Sequence, residues 1–426
     1  MTQATGTAMP DPPAELLAEV AALSRHFGSD PAYTRGGGGN SSGKADGVLY
    51  IKPSGVSLAT LSPRSLMPLV MEPLHAVVAA TDAATLPGSE EVLRIGMEAR
   101  LDQADHRRPS VELIFHALLP ERIVIHTHPT TVNALTCAAH GGELATELFG
   151  DEALWIPYTN PGLPLARRIV DERHGYEGRT GRRPPPVMLL QSHGLIVAGS
   201  GTQEIIERSA AVVAEIRERI ARSERPGLVA ASPGATGSTA DGDDVEMRNL
   251  VETVAAMLTD ALGTDGVPRV VVPDTSPMAR QLGAAAEGRA FVHAGPLTPD
   301  QIVYAGSWPL LVAAPPSDLD AGPAGHLADT LRTRLAEHAT TTHQPPSIVV
   351  VGGVGLFAVA ATANLTDTVR DVYRDAIRVG DGAARLGGIR TLAPEERRFI
   401  EDWEAEAYRL GVATAGAAAS ASTAPG

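Results

Sequence analysis

The chain is nearly devoid of lysine. Of its 35 basic residues only Lys44 and Lys52 are lysine, and the rest are arginine. Aldol chemistry through a Schiff base needs a nucleophilic, desolvated lysine. These two fall in one polar, glycine-rich segment, which disfavours that route. A compact ammonium beside a glycine loop would instead suit an anion. Cysteine is scarcer still. Cys137 stands alone, so no intramolecular disulfide is expected, and a reducing cytoplasm fits. Its neighbours Ala134, Leu135, Ala138 and Ala139 predict a buried thiol. Positive charge is in deficit, with a formal net charge of −15. Nucleic acid and anionic membrane are therefore not expected partners. No uncharged apolar run approaches the roughly 18 residues of a membrane span. Residues 1–13 have neither a basic start nor an apolar stretch, so no signal peptide is expected.

What is present suffices for two or three domains. The chain has 426 residues, 43% of them hydrophobic. Residues 1–13 and 413–426 read as disordered, and 226–243, rich in Pro, Gly, Ala, Ser and Thr, as a flexible linker. These divide the chain into a domain at 14–225 and a smaller α/β domain at 244–412. Apolar periodicity predicts helices at 15–27, 110–118 and 202–222, with Ser110 as N-cap and Glu112 in the first turn. Short β-branched or apolar runs predict strands at 48–51, 123–125 and 187–190, the last continuing through 195–198. In the second half, 251–262 and 365–379 read as helices and 269–272 and 348–351 as strands. Gly352-Gly-Val-Gly355 reads as a tight strand-to-helix turn. It is not a dinucleotide site, because the third glycine of that fingerprint and the acidic ribose ligand are missing. No internal repeat is visible.

The chemistry concentrates around three histidines. His126 and His128 are separated by one residue at the end of a predicted strand. Alternation turns both to the same face. His193 provides a third imidazole, and Glu112 a carboxylate separated from the pair by thirteen residues. Three nitrogens with one position left open is a catalytic metal arrangement.

Five segments, in order, resemble the class II aldolase/adducin family: Gly36–Gly39 with Asn40 and Ser41; Lys52-Pro53-Ser54-Gly55; Arg108-Pro109-Ser110-Val111-Glu112; His126-Thr127-His128-Pro129; and Ser192-His193-Gly194-Leu195. Glu147-Leu148-Phe149-Gly150-Asp151 and Trp155-Ile156-Pro157-Tyr158 look like the aldolase part of bifunctional rhamnulose-1-phosphate aldolase/short-chain dehydrogenase proteins, with the dehydrogenase part expected to be absent. The resemblance covers about 15–225, and 290–410 more weakly.

The resemblance implies a three-layer α/β/α catalytic domain and one divalent metal per subunit, Zn2+ with Mn2+ or Co2+ as substitutes. The ligands would be His126, His128 and His193. Glu112 would move protons. Gly39, Asn40, Ser54, Gly55 and Ser110 would hold the phosphate of a small sugar phosphate. The implied reaction cleaves a ketose 1-phosphate of the rhamnulose or fuculose kind into dihydroxyacetone phosphate and an aldehyde, through an enediolate. A homo-oligomer, most simply a tetramer, is implied, with an acid tyrosine that this sequence does not place beyond Tyr158 as a candidate. Alternatives are a sugar-phosphate 4-epimerase, which would carry aspartate in place of Glu112, and an adducin-like interaction module, which would lack the ligands. His116, one turn after Glu112, reads as a satisfied structural histidine or a partner of the site.

Overall fold

The structure is a computed structural model describing residues 13–79, 87–229, 241–263, 268–313 and 326–403. The expected disordered tail, most of the linker and nearly all of 1–13 lie outside the described residues. The chain forms two compact units, residues 1–129 with 145–215, and residues 130–144 with 216–426.

The first unit is built on a seven-stranded sheet. Its strands are β1 (Asn40–Ala45), β2 (Val48–Ile51), β3 (Met67–Val70), β4 (Ile123–Thr127), β5 (Leu154–Ile156), β6 (Val187–Leu190) and β7 (Gly194–Gly199). Their order is β3-β2-β1-β4-β7-β6-β5. All pairs are antiparallel except β5 with β6. Helices cover both faces. On one, helix Ala14–Gly28 lies so close to β1 that a Cβ on Gly43 would stand 2.8 Å from Leu16 and Val20 side-chain atoms. On the other, Leu113 and Phe115 of helix Leu113–Leu118 join Leu49, Ile51, Val124 and Ile196 in one apolar core. Burying each such side chain stabilises by about 1.5–3 kcal/mol. The expected three-layer α/β/α architecture is the observed one.

Three local expectations need correcting. The helix expected from 110 begins at Leu113, with Glu112 in the capping position. Ser110 Oγ still accepts an early N–H, that of Glu112, at 3.3 Å. Residues 195–198 do not continue the strand before them. They return antiparallel, because the chain reverses through Gln191, Ser192 and His193, with Ser192 at φ 53°. Gly352 to Phe357 likewise enters a hairpin and not a helix.

The second unit holds a four-stranded sheet of β8 (Val270–Asp274), β9 (Leu310–Val312), β10 (Ile348–Val351) and β11 (Gly355–Ala360), in the order β8-β11-β10-β9. Leu282, Phe291, Val350, Leu356, Tyr373 and Ile377 fill one core. Val254, Leu258, Leu331, Val349, Val351 and Phe357 fill a second. Alternate residues of β10 point into different cores, as period-two side chains must. Cys137 is fully buried in the first of these cores, as its neighbours implied.

Candidate metal centre

His126 lies inside β4, paired with Asn40 of β1 and Ile196 of β7. It is 0% exposed. His128 emerges on the same side, where its backbone N–H donates to Tyr33 O at 2.9 Å. The β6–β7 hairpin turn brings His193 to meet them. The Nε2 atoms of His128 and His193 lie 2.9 and 3.3 Å from His126 Nε2. One ligand atom from each residue falls within 4.8 Å of the others, and this is the one such cluster among the described residues. His126 Nδ1 is 3.0 Å from Leu195 O. A carbonyl accepts, so the ring proton sits on Nδ1 and the Nε2 lone pair points inward. Inward-facing nitrogens on three buried imidazoles fit a divalent cation that takes nitrogen ligands. Burial lowers the His126 pKa to about 3, with Glu112 opposing that shift. The ring is therefore neutral and available as a ligand at neutral pH.

Glu112 completes the group. Although it occupies a helix N-cap, its side chain makes no cap bond. It turns toward the imidazoles instead, with Oε2 at 3.5 Å from His126 Nε2 and Oε1 at 3.5 Å from His193 Nε2. Burial would raise its pKa. The surrounding imidazoles and the Asn40 amide outweigh that and hold it down to about 2. Asn40 Nδ2 donates to Oε2 at 2.7 Å. Oε1 is buried and accepts no hydrogen bond. An orphaned carboxylate oxygen beside three convergent nitrogens is the feature a bound cation and substrate would satisfy.

Behind Glu112 runs a buried polar chain. Asn40 Oδ1 meets His116 Nε2 in a short contact, and His116 Nδ1 lies 2.7 Å from Ser42 Oγ. Burial, foremost, drives the His116 pKa well down, so the ring is neutral. The donors then follow by elimination. Because Asn40 gives its N–H to the carboxylate, its oxygen must accept from His116 Nε2–H, and Ser42 O–H donates to Nδ1. Sequence reasoning left His116 undecided and missed Ser42. The signal available was the alternation of Asn40, Ser42 and Lys44 along β1, on the face that His126 shares.

The remaining expected residues sort as follows. The Gly39 conformation (φ 72°) favours glycine, and a Cβ there would stand 2.7 Å from His126 O, so the glycine loop is held against the centre. Pro53 bridges Pro109, and Ser54 N–H donates to Arg108 O at 2.9 Å. This ties Ser54 and Gly55 to the Ser110 segment that leads into Glu112. Ser110 Oγ also accepts from Asn40 Nδ2 at 3.3 Å. Lys44 Nζ is engaged elsewhere, donating to Glu121 O at 2.9 Å. Burial lowers its pKa to about 7, with Glu121 opposing. Lys52 Nζ donates to Val56 O at 2.7 Å. The backbone N–H of Tyr158 donates to Gln191 Oε1 at 2.9 Å, which links its segment to the turn that carries His193.

Residues 18–220 match the family profile described as class II aldolase and adducin N-terminal domain, and residues 247–410 that described as aldolase class II, second domain. The "uncharacterized oxidoreductase YuxG" of Bacillus subtilis (strain 168) is 25% identical over 423 residues, which is 93% of this chain and 58% of that protein. The chain thus spans little more than half the length of this curated relative. Among solved structures, the N-terminal class II aldolase domain of a conserved protein from Thermoplasma acidophilum aligns at 24% identity and a TM-score of 0.42, covering 52% of this chain and 99% of that one. L-fuculose-1-phosphate aldolase from Thermus thermophilus aligns at 17% identity and a TM-score of 0.30, covering 47% and 91%.

Proposed function

From a chain that belongs to the class II aldolase/adducin family, we propose a metal-dependent aldolase that cleaves a small ketose 1-phosphate to dihydroxyacetone phosphate and an aldehyde. The observation that carries this reading is the convergence of three Nε2 atoms beside a carboxylate oxygen that no protein group satisfies. His126, His128 and His193 would hold the cation, zinc by ligand type, with manganese or cobalt as substitutes. When bound, a divalent cation polarises the substrate carbonyl and offsets the negative charge that carbon–carbon cleavage leaves behind.

The protein's own groups supply the rest. Glu112 is held ionised, with Oε1 toward the site, and takes and returns the proton that moves between substrate oxygen and carbon. Gly39, Ser54, Gly55 and Ser110 receive the phosphate, with backbone N–H groups and hydroxyls as donors. Asn40 belongs at the edge of that set, since its amide is directed to Glu112 and His116. We assign it the task of orienting the carboxylate. Tyr158 is the candidate acid toward the aldehyde half, and a homotetramer the proposed assembly.

Glutamate at position 112 favours cleavage over 4-epimerisation, and the intact ligand set favours an enzyme over an interaction module. The test is a retro-aldol assay of the metal-loaded protein over a panel of ketose 1-phosphates, with released dihydroxyacetone phosphate as the readout. Release from at least one member is expected. Epimerised product without free triose phosphate would replace this reading with the epimerase.

A further inference from the structure

The four strands of the second unit repeat those that carry the histidines in the first. In the first sheet β4, β7, β6 and β5 are neighbours in that order, and in the second β8, β11, β10 and β9 are. The senses agree: antiparallel, antiparallel, parallel. So do the registers. Ile123 pairs with Gly199 and Thr127 with Leu195, while Val270 pairs with Ala360 and Asp274 with Leu356.

The hairpin turns match in detail. Leu190 pairs with Gly194, and Val351 with Gly355. Three residues make each turn, and the middle one has positive φ, 53° at Ser192 and 77° at Gly353. The N–H of the third, His193 or Val354, donates to Leu190 O or Val351 O, both at 3.1 Å. Gln191 N–H reaches Ile156 O, and Gly352 N–H reaches Val312 O, both at 3.0 Å. A Cβ on Gly194 would stand 2.4 Å from Thr127 O, and one on Gly355 2.5 Å from Asp274 O. Helices Thr130–Thr136 and Gly141–Phe149 follow β4 as Pro277–Ala284 and Ala286–Ala294 follow β8. Long helices, Thr202–Ala221 and Ala363–Arg385, follow the two hairpins. Across these hairpins only the Gly-Leu pairs Gly194-Leu195 and Gly355-Leu356 are identical, so no repeat shows in the sequence.

We infer that the second unit is a degenerate copy of the histidine-bearing half of the first, with Pro273, Thr275 and Val354 standing where His126, His128 and His193 stand, so that this position holds no equivalent of the metal site proposed above. The register fixes the correspondence. His126 pairs with Ile196, and Pro273 with Phe357. Thr275 follows Asp274 as His128 follows Thr127. Proline and valine offer no side-chain donor, and a threonine hydroxyl is a poor ligand for a cation that prefers imidazole. The surroundings differ as well. β4 is flanked by β1 on its other edge, whereas β8 ends its sheet, a position where proline is tolerated. Among the described residues, this position of the second unit therefore offers no counterpart to the metal site proposed for the first.

The test counts bound cobalt(II) on the full chain after dialysis, with circular dichroism as the check on folding. The triple variant Pro273→His, Thr275→His, Val354→His should bind one more ion per chain than the unsubstituted protein. A folded triple variant without that gain would overturn the correspondence. Should it not fold, the counts in the other chains decide: one ion in the unsubstituted protein and none in His126→Ala/His128→Ala support the inference, and an ion retained by the latter overturns it. If the unsubstituted chain binds none, the metal reading of the first unit fails, while a gain of one ion in the triple variant still supports the copy.

Discussion

The Asn40 amide donates to Glu112 Oε2 across 2.7 Å, leaving Oε1 as the carboxylate oxygen without a hydrogen bond. The strand therefore decides which oxygen is free to act. Glu112→Gln keeps the shape and removes the proposed base. We expect metal content and fold to be retained while kcat falls by roughly 10²–10⁴-fold. Loss of the metal in this variant, read by elemental analysis, would make Glu112 a ligand.

His128→Ala removes one of three convergent nitrogens. Metal retention and turnover should be lost together. Stoichiometric metal in the purified variant would exclude His128 as a ligand.

The hydrogen-bond path from His116 to Glu112 runs through Asn40. His116→Gln can still donate to Asn40 Oδ1, whereas His116→Phe leaves that oxygen and Ser42 buried without their partner. Losing about 1.4 kcal/mol of orientation in the transition state corresponds to about tenfold in rate. The Phe variant should lose about that in kcat with little change in KM, and the Gln variant should recover most of it. Equal kcat in the two variants would reduce His116 to a packing role.

Ser54 tests the proposed phosphate site apart from the chemistry. Its segment is tied to that of Ser110 through the Pro53–Pro109 bridge. Ser54→Ala should raise KM for phosphorylated ketoses several-fold more than for their unphosphorylated analogues. An equal effect on both would remove the phosphate assignment.

Lys44 predicts a pH dependence of stability. Its pKa is about 7 in the folded chain, against 10.5 for an ordinary lysine. Between those values the unfolded chain binds more protons at this site, so the site's contribution to stability rises with pH. Lys44→Met removes it. The unfolding free energy of the unsubstituted protein minus that of the variant should therefore increase from pH 7 to pH 9.5 in urea titrations. A flat or falling difference would mean that Lys44 stays protonated when folded.

The local elements and the residue types of the site were readable from the sequence. Alternation along 123–128 was enough to turn His126 and His128 to one side, because a strand has period two whatever its neighbours. Val48–Ile51, Val187–Leu190 and Ile348–Val351 were legible as strands for a similar reason: buried β-branched and apolar runs of that length between turn residues. Tertiary structure decided what depends on chain reversal and on pairing between distant segments. The Ser192 turn could not be told from a continuing strand, since apolar residues stand on both sides of it. The tie of Glu112 to Asn40, and through it to His116 and Ser42, spans β1 and a helix some seventy residues away. Which oxygen of Glu112 is free thus became visible only in three dimensions. The same holds for the second unit. Its kinship with the first lies in register and turn geometry, which hydrogen bonds and two close-packed glycines preserve while nearly every side chain has changed.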